Sequence, residues 1–152
     1  IEETLNTTHA DSEGNEVPFS LGMESDGTKR LLDYIPMLHS ILKESEVVVI
    51  DEIERSIHPS VIKELIRLIS KDDKMNGQLI FSTHETCLLD QDILRTDEIW
   101  FAQKNLSGAT QLYSLSDFNV HSTANVENGY LNGRYGGIPF MNDLKTLHWD
   151  EE

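Results

Sequence analysis

The stretch Glu46–Pro59, EVVVIDEIERSIHP, decides the fold. Val47, Val48, Val49 and Ile50 are four β-branched residues in a row, a composition that favours strand over helix. No polar residue alternates through the run, so it reads as a strand covered on both faces, as in parallel sheets. The run ends in two carboxylates, Asp51 and Glu52. Pro59 stands where a proline opens a helix, and Val61, Ile62, Leu65, Ile66 and Ile69 then recur on one helical face to about Ser70.

Working outward, Leu31, Leu32, Ile35, Leu38 and Leu42 recur at helical spacing between Lys29 and Lys43, with Pro36 expected to kink or restart that helix. QLIFSTH, 78–84, is a second apolar strand ending in polar residues. EIWFAQK (98–104) and QLYSLSDF (111–118) read as a further strand pair joined by the turn NLSGA. At the front, 1–20 reads as a strand, a turn at Gly14-Asn15 and a return through Val17 and Phe19. After Phe118 the pattern weakens. NVENGYLNGRYGGIPFM is Gly-rich and is expected to be irregular but ordered by Tyr130, Tyr135 and Phe140. The expectation is an α/β fold: a mainly parallel sheet with flanking helices and a small antiparallel strand pair over 1–118, and a Gly/aromatic tail over 119–152 packed on it.

Ligands of such sheets collect at the carboxyl ends of the strands, where Asp51-Glu52 and Thr83-His84 fall. A carboxylate there can hold magnesium through water, a second can deprotonate an attacking water, and a histidine one strand over can donate to a phosphate. The same carboxylates also fit a plain strand-to-helix turn, and a single histidine is often structural. ESDGT, Glu24–Thr28, combines a serine hydroxyl, a glycine amide and a helix N-terminus into an anion site. It equally fits a helix cap on Asp26 or Thr28.

Composition narrows the partners. The 152 residues carry 27 acidic and 12 basic side chains, a net charge of −15, and an acidic surface repels phosphate backbones, which counts against direct nucleic-acid contact. No apolar run approaches the roughly 20 residues that cross a bilayer. A single cysteine, Cys87, cannot form an internal disulfide, which suits a reducing cytoplasm.

The order of ESDGT, VVVIDE, IERSIHP and FSTHE resembles that of ABC-type ATPases: signature motif, Walker B with its glutamate, D-loop, switch histidine. The resemblance implies the C-terminal lobe of a P-loop NTPase-like ATPase head. On it, Ser25, Asp26, Gly27 and Thr28 form the signature segment, with Ser25 and Gly27 meeting the γ-phosphate of ATP held by the other subunit. Asp51 supports Mg2+, Glu52 is the catalytic base, Ser56, Ile57 and His58 lie on the D-loop, and His84 is the switch histidine. DEIERSIHP, DEIWFAQKNLSGATQLYSLSDF and GYLNGRYGGIPF are closer to one branch, the overcoming-lysogenization-defect (OLD)-like and RloA/AbiL-like ATPases of bacterial phage defence and abortive infection. The likeness runs from about Phe19 to Met141.

A P-loop needs Gly-x-x-x-x-Gly-Lys-Ser/Thr, and none of the nine glycines precedes a lysine. The resemblance therefore implies that the Walker A half lies N-terminal to this chain or on a separate segment. It also implies that a head-to-tail dimer completes two shared ATP sites, and that a toxic effector protein is held or released. Asp26 departs from the glycine of many ABC signatures and sets a negative charge near triphosphate unless it caps the helix. Three other readings are weighed against this one: a non-hydrolysing, ATP-locked scaffold; a DNA-clamping repair-type ATPase; and a metal-dependent nuclease, which needs carboxylates clustered beyond Asp51 and Glu52, for which Asp90, Asp92 and Asp97 are available but lack a recognisable spacing.

Overall fold

The computed structural model describes residues 5–138. The chain divides into two compact units, residues 1–85 and 86–152.

The first unit opens with an antiparallel hairpin of β1 (Asn6–Ala10) and β2 (Glu16–Ser20), with Asn6 opposite Ser20. Its turn is held by the Asp11 carboxylate, which accepts from the Glu13 and Asn15 amides at 2.8 Å each, as Asx turns do. Helix α1 runs from Asp26 to Lys43. It begins three residues before the apolar periodicity does, because polar caps carry no hydrophobic signal. The cap is Ser25, not Asp26 or Thr28: Ser25 Oγ accepts from the Thr28 amide at 3.1 Å. Pro36 does not restart the helix, which is one element across it. A proline removes a single backbone donor, and Tyr34 and Ile41, buried on either side of it, pack the helix against the unit's core.

β3 (Val47–Ile50), α2 (Pro59–Ser70) and β4 (Gln78–Phe81) follow. β3 and β4 pair in parallel, Val47 opposite Gln78 and Ile50 opposite Phe81. Pro59 is the first helical residue, as its missing N–H allows, and His58 caps α2 through Nδ1. Ile41, Ile50, Ile53, Ile57, Ile62, Ile66 and Ile69 are buried and form the core of this unit. The strand covered on both faces is not what these residues build. Val47, Val49 and Ile80 point to the other side of the pair and are 61, 73 and 46% exposed. Among the described residues nothing covers that face, although its composition is that of an interior strand.

The second unit is built on antiparallel β5 (Trp100–Lys104) and β6 (Thr110–Ser114), Trp100 opposite Ser114. Among the described residues the sheets are thus one parallel and two antiparallel pairs, rather than one mainly parallel sheet. Ile99, Phe101, Leu115, Val126 and Tyr135 make the core. The Gly-rich run is more regular than its sequence suggests, for α3 (Val126–Leu131) forms inside it, capped by Asn125. Tyr135 is buried with its ring stacked near that of Phe101 (centroids 6.1 Å apart) and edge-on to Phe118 at 5.3 Å. A Cβ on Gly129 would lie 2.7 Å from the Tyr135 ring, so glycine there is what admits the tyrosine. The guanidinium of Arg134 lies 5.8 Å from the centre of the same ring. These contacts give part of GRYGGIPF a packing reason; Phe140 and the rest of 139–152 lie outside the described residues. Among the described residues no helix is long and apolar enough to cross a membrane.

Candidate functional site

The parallel register sets the site. With Ile50 opposite Phe81, the next residues along each strand, Asp51 and Ser82, leave the sheet side by side. Ser82 binds the two chain ends together. Its amide donates to the Ile50 carbonyl (2.9 Å) and its carbonyl accepts from the Ile53 amide (3.1 Å). Its hydroxyl accepts from the Glu52 amide at 2.9 Å and donates to Asp51 Oδ1 in a short hydrogen bond. One side chain therefore fixes the orientation of both carboxylate-bearing residues. Ser82 was not singled out from the sequence; the register of two parallel strands was the signal that could have found it.

Glu52 takes a left-handed backbone, φ 49°, a conformation that costs a non-glycine residue energy and persists where surrounding bonds enforce it. Its carboxylate and the His84 imidazole approach to 3.9 Å, with the side chains 50 and 85% exposed. The pair is open to solvent. The turn carrying His84 is also held from below. The His84 amide donates to Glu54 Oε1 at 2.8 Å, and the Glu85 amide donates to the Thr83 hydroxyl at 3.0 Å. Burial works to raise the Glu54 pKa, but hydrogen bonds from the His84 amide, its own amide and the Thr83 hydroxyl, with the His84 charge, outweigh it and hold the carboxyl below its ordinary value.

Ser25, Asp26, Gly27, Thr28 and Ser56 come together at the start of α1. A Cβ on Gly27 would sit 2.6 Å from the Ser56 carbonyl oxygen, so helix and turn are in direct backbone contact. Ser56, like Glu52, is left-handed, φ 64°. The Ser25 and Thr28 hydroxyls lie 2.9 Å apart. Asp26 directs its charge toward Lys29, 3.7 Å away, on an exposed surface. Beside this contact a shallow groove is lined by Asp26, Lys29, Arg30, Asp33, Arg55 and Ser56. Tyr34 ties the helix to the turn from inside, its hydroxyl donating to the Ile53 carbonyl at 2.6 Å and accepting from Arg30 Nε at 3.1 Å. His58 is engaged as the α2 cap, with Nδ1 accepting from the Ser60 amide at 3.2 Å.

The segment ahead of Ser25 is anchored to the hairpin. Glu24 accepts from the Thr7 hydroxyl in a short bond and pairs with His9 Nε2 at 2.5 Å, while the His9 ring lies against Phe19, centroids 4.7 Å apart. The His9 contact first, then the Thr7 hydroxyl, lowers the Glu24 pKa. No group of three or more His, Cys, Asp or Glu side chains that could hold a metal exists among the described residues, so Asp90, Asp92 and Asp97 do not assemble into the cluster a carboxylate-rich nuclease centre needs. Asp51 and the Ser82 hydroxyl are hard oxygen donors. They suit magnesium, which takes one or two protein oxygens and fills its remaining positions with water and phosphate.

A family model described as "AAA domain, putative AbiEii toxin, Type IV TA system" matches residues 2–90, a span that holds every candidate site residue. Comparison with curated proteins returns no match.

Proposed function

The chain belongs to this AAA-domain family, with the P-loop NTPase-like α/β fold that membership carries, and from that premise we propose that it supplies the Walker B, switch-histidine and signature half of a composite ATP-hydrolysing site. The observation that carries the reading is the Glu52–His84 pair, 3.9 Å apart at the ends of neighbouring parallel strands.

In this reading Glu52 takes the proton of the attacking water as its oxygen bonds to the terminal phosphorus and the bridging P–O bond to ADP breaks. His84 donates a hydrogen bond to the terminal phosphate. Asp51, oriented by Ser82, is the residue that would hold magnesium; the ion, when bound, neutralises charge on the phosphates. Ser25, Gly27 and Thr28 at the start of α1 offer a hydroxyl and helix-end amides to a phosphate, with Ser56 and His58 on the turn that packs there. Asp26 flanks this set with its charge drawn toward Lys29.

Three features support a site completed by other polypeptide. Hydrolysis is efficient in a water-excluded site, whereas Glu52 and His84 are open to solvent. The apolar face of Val47, Val49 and Ile80 is also uncovered, and the lysine and amide cradle of a P-loop is absent from these 152 residues. A P-loop-bearing segment packed on that face, with the signature edge meeting a second copy head to tail, answers all three.

We assign the working context to abortive infection of the RloA/AbiL type, in the cytoplasm, with hydrolysis gating a toxic effector protein. Its support is the family's own description, which names a toxin of a type IV toxin–antitoxin system, together with the branch-like strings DEIERSIHP and GYLNGRYGGIPF. The test is ATP turnover by the complete ATPase, meaning this chain with its P-loop segment. Glu52→Gln is expected to cut turnover at least 100-fold, on the scale of removing a general base, while ATP still binds. Turnover within about twofold of the native protein refutes the assignment of Glu52.

A further inference from the structure

We propose that Glu54 is a positioning residue for His84: its carboxylate, set into the turn after β3, captures the His84 amide and thereby fixes where the imidazole stands opposite Glu52. The inference rests on the reading of His84 given above.

Glu54 is neither the base nor a metal ligand in that reading, yet it is the acid of this turn drawn inward. Oε2 is buried with no hydrogen-bond partner among the described residues, while Oε1 takes the His84 amide at 2.8 Å. Burying part of a carboxylate is costly, and here the return is chiefly a backbone amide from the other strand's end, a charge-assisted bond and so a strong one. That amide belongs to the residue whose ring meets Glu52. The turn at 82–84 is therefore pinned to the turn at 51–57 at both of its ends: at Ser82 by the Ile53 amide on its carbonyl (3.1 Å) and by the Glu52 amide and Asp51 carboxylate on its hydroxyl, and at His84 by Glu54 on its amide. With its side chain 85% exposed, the imidazole has little packing to hold it, and its backbone anchor decides its position. The same turn carries Ser56, whose carbonyl abuts Gly27 of α1. A displacement of that contact would reach His84 through Glu54.

The test is a double-mutant cycle on turnover by the complete ATPase, with amide hydrogen exchange at His84 read on this chain. Glu54→Ala is expected to speed exchange of the His84 amide about tenfold or more and to lower kcat about tenfold with KM for ATP changed less than about threefold. Glu54→Gln keeps an acceptor oxygen and is expected to restore most of both. Because Glu54 acts through His84, the pair Glu54→Ala/His84→Ala is expected to be no slower than His84→Ala alone. Additive losses, or an unchanged His84 exchange rate in Glu54→Ala, overturn the inference while the ATP-site reading stands. Native turnover in His84→Ala overturns that reading, and this inference with it. If Glu54→Ala does not fold, Glu54→Gln and Glu54→Asp decide: losses that track the presence of an acceptor within reach of the His84 amide support the inference, and losses indifferent to it refute it.

Discussion

Gly27→Ala separates two physical effects of opposite sign. Gly27 lies in the first turn of an 18-residue helix at a non-positive φ, so exchanging it for alanine ought to stabilise the chain by about 0.5–1 kcal/mol through lost backbone freedom in the unfolded state. Its missing Cβ, however, would stand 2.6 Å from the Ser56 carbonyl oxygen, against at least 3.4 Å for ordinary contact. The helix or the turn must retreat by about 0.8 Å, the difference between those distances. Both partners are backbone, and the turn is already committed to a left-handed Ser56 and tied to α1 by the buried Tyr34–Ile53 bond, so little slack is available. Forced overpacking of this kind costs about 1–3 kcal/mol; set against the propensity gain, the net is a loss centred on about 1.3 kcal/mol and at most about 2.5 kcal/mol. Urea unfolding of the native chain and of Gly27→Ala gives the sign directly, and thermal unfolding is expected to fall by about 2–4 °C per kcal/mol for a chain of this size. Gly22→Ala is the control, since its nearest neighbour would be 3.8 Å away. An equal or higher midpoint for Gly27→Ala refutes the close approach and leaves Gly27 to be explained by ligand contact alone.

Two further outcomes follow from the same unit. Tyr34→Phe removes the donor to the buried Ile53 carbonyl and is expected to cost about 1–3 kcal/mol in the same urea titration; an unchanged midpoint counts against the tie. For Glu24 the His9 contact and the Thr7 hydroxyl hold the folded-state pKa below the ordinary glutamate value of 4.5, so its pairing contributes in full above that value and is lost as pH falls through the lowered folded-state pKa. Protection of the amides in residues 6–10, taken relative to the intrinsic exchange rate at each pH, is expected to fall as the pH drops below about 4.5, and Glu24→Gln to remove that acid-linked step; an identical profile in the variant refutes the anchor.

The first unit was largely legible in the sequence, since an unbroken Val-Val-Val-Ile run and a Pro-started amphipathic helix state their periods without ambiguity. What escaped has physical causes. The α1 start hid because Ser25 caps by hydrogen bonding, which leaves no apolar mark. The restart at Pro36 does not occur, because removing one donor does not end a helix whose flanks are buried. The exposure of Val47 and Val49 was illegible because sequence records what a strand is built to touch, not which polypeptide touches it. In the site, Asp51, Glu52 and His84 declared themselves by standing where apolar runs stop. Ser82 and Glu54, which orient them, became visible once the parallel register brought residues 30 positions apart into hydrogen-bond range. The order inside GYLNGRYGG could not be read in advance, because it depends on one tyrosine seated against one glycine.

A site shared between copies is tested most directly by mixing two inactive variants. Glu52→Gln disables the site on its own subunit, and Ser25→Ala the site it completes on the other. Each complete ATPase alone should be nearly inactive. In an equimolar, equilibrated mixture half the dimers are mixed, and each mixed dimer retains one intact site of two, so turnover is expected to rise to about a quarter of the native rate. Turnover that stays at the sum of the two parents would mean that Ser25 and Glu52 serve a site within one chain, and the account of a shared site would be contradicted.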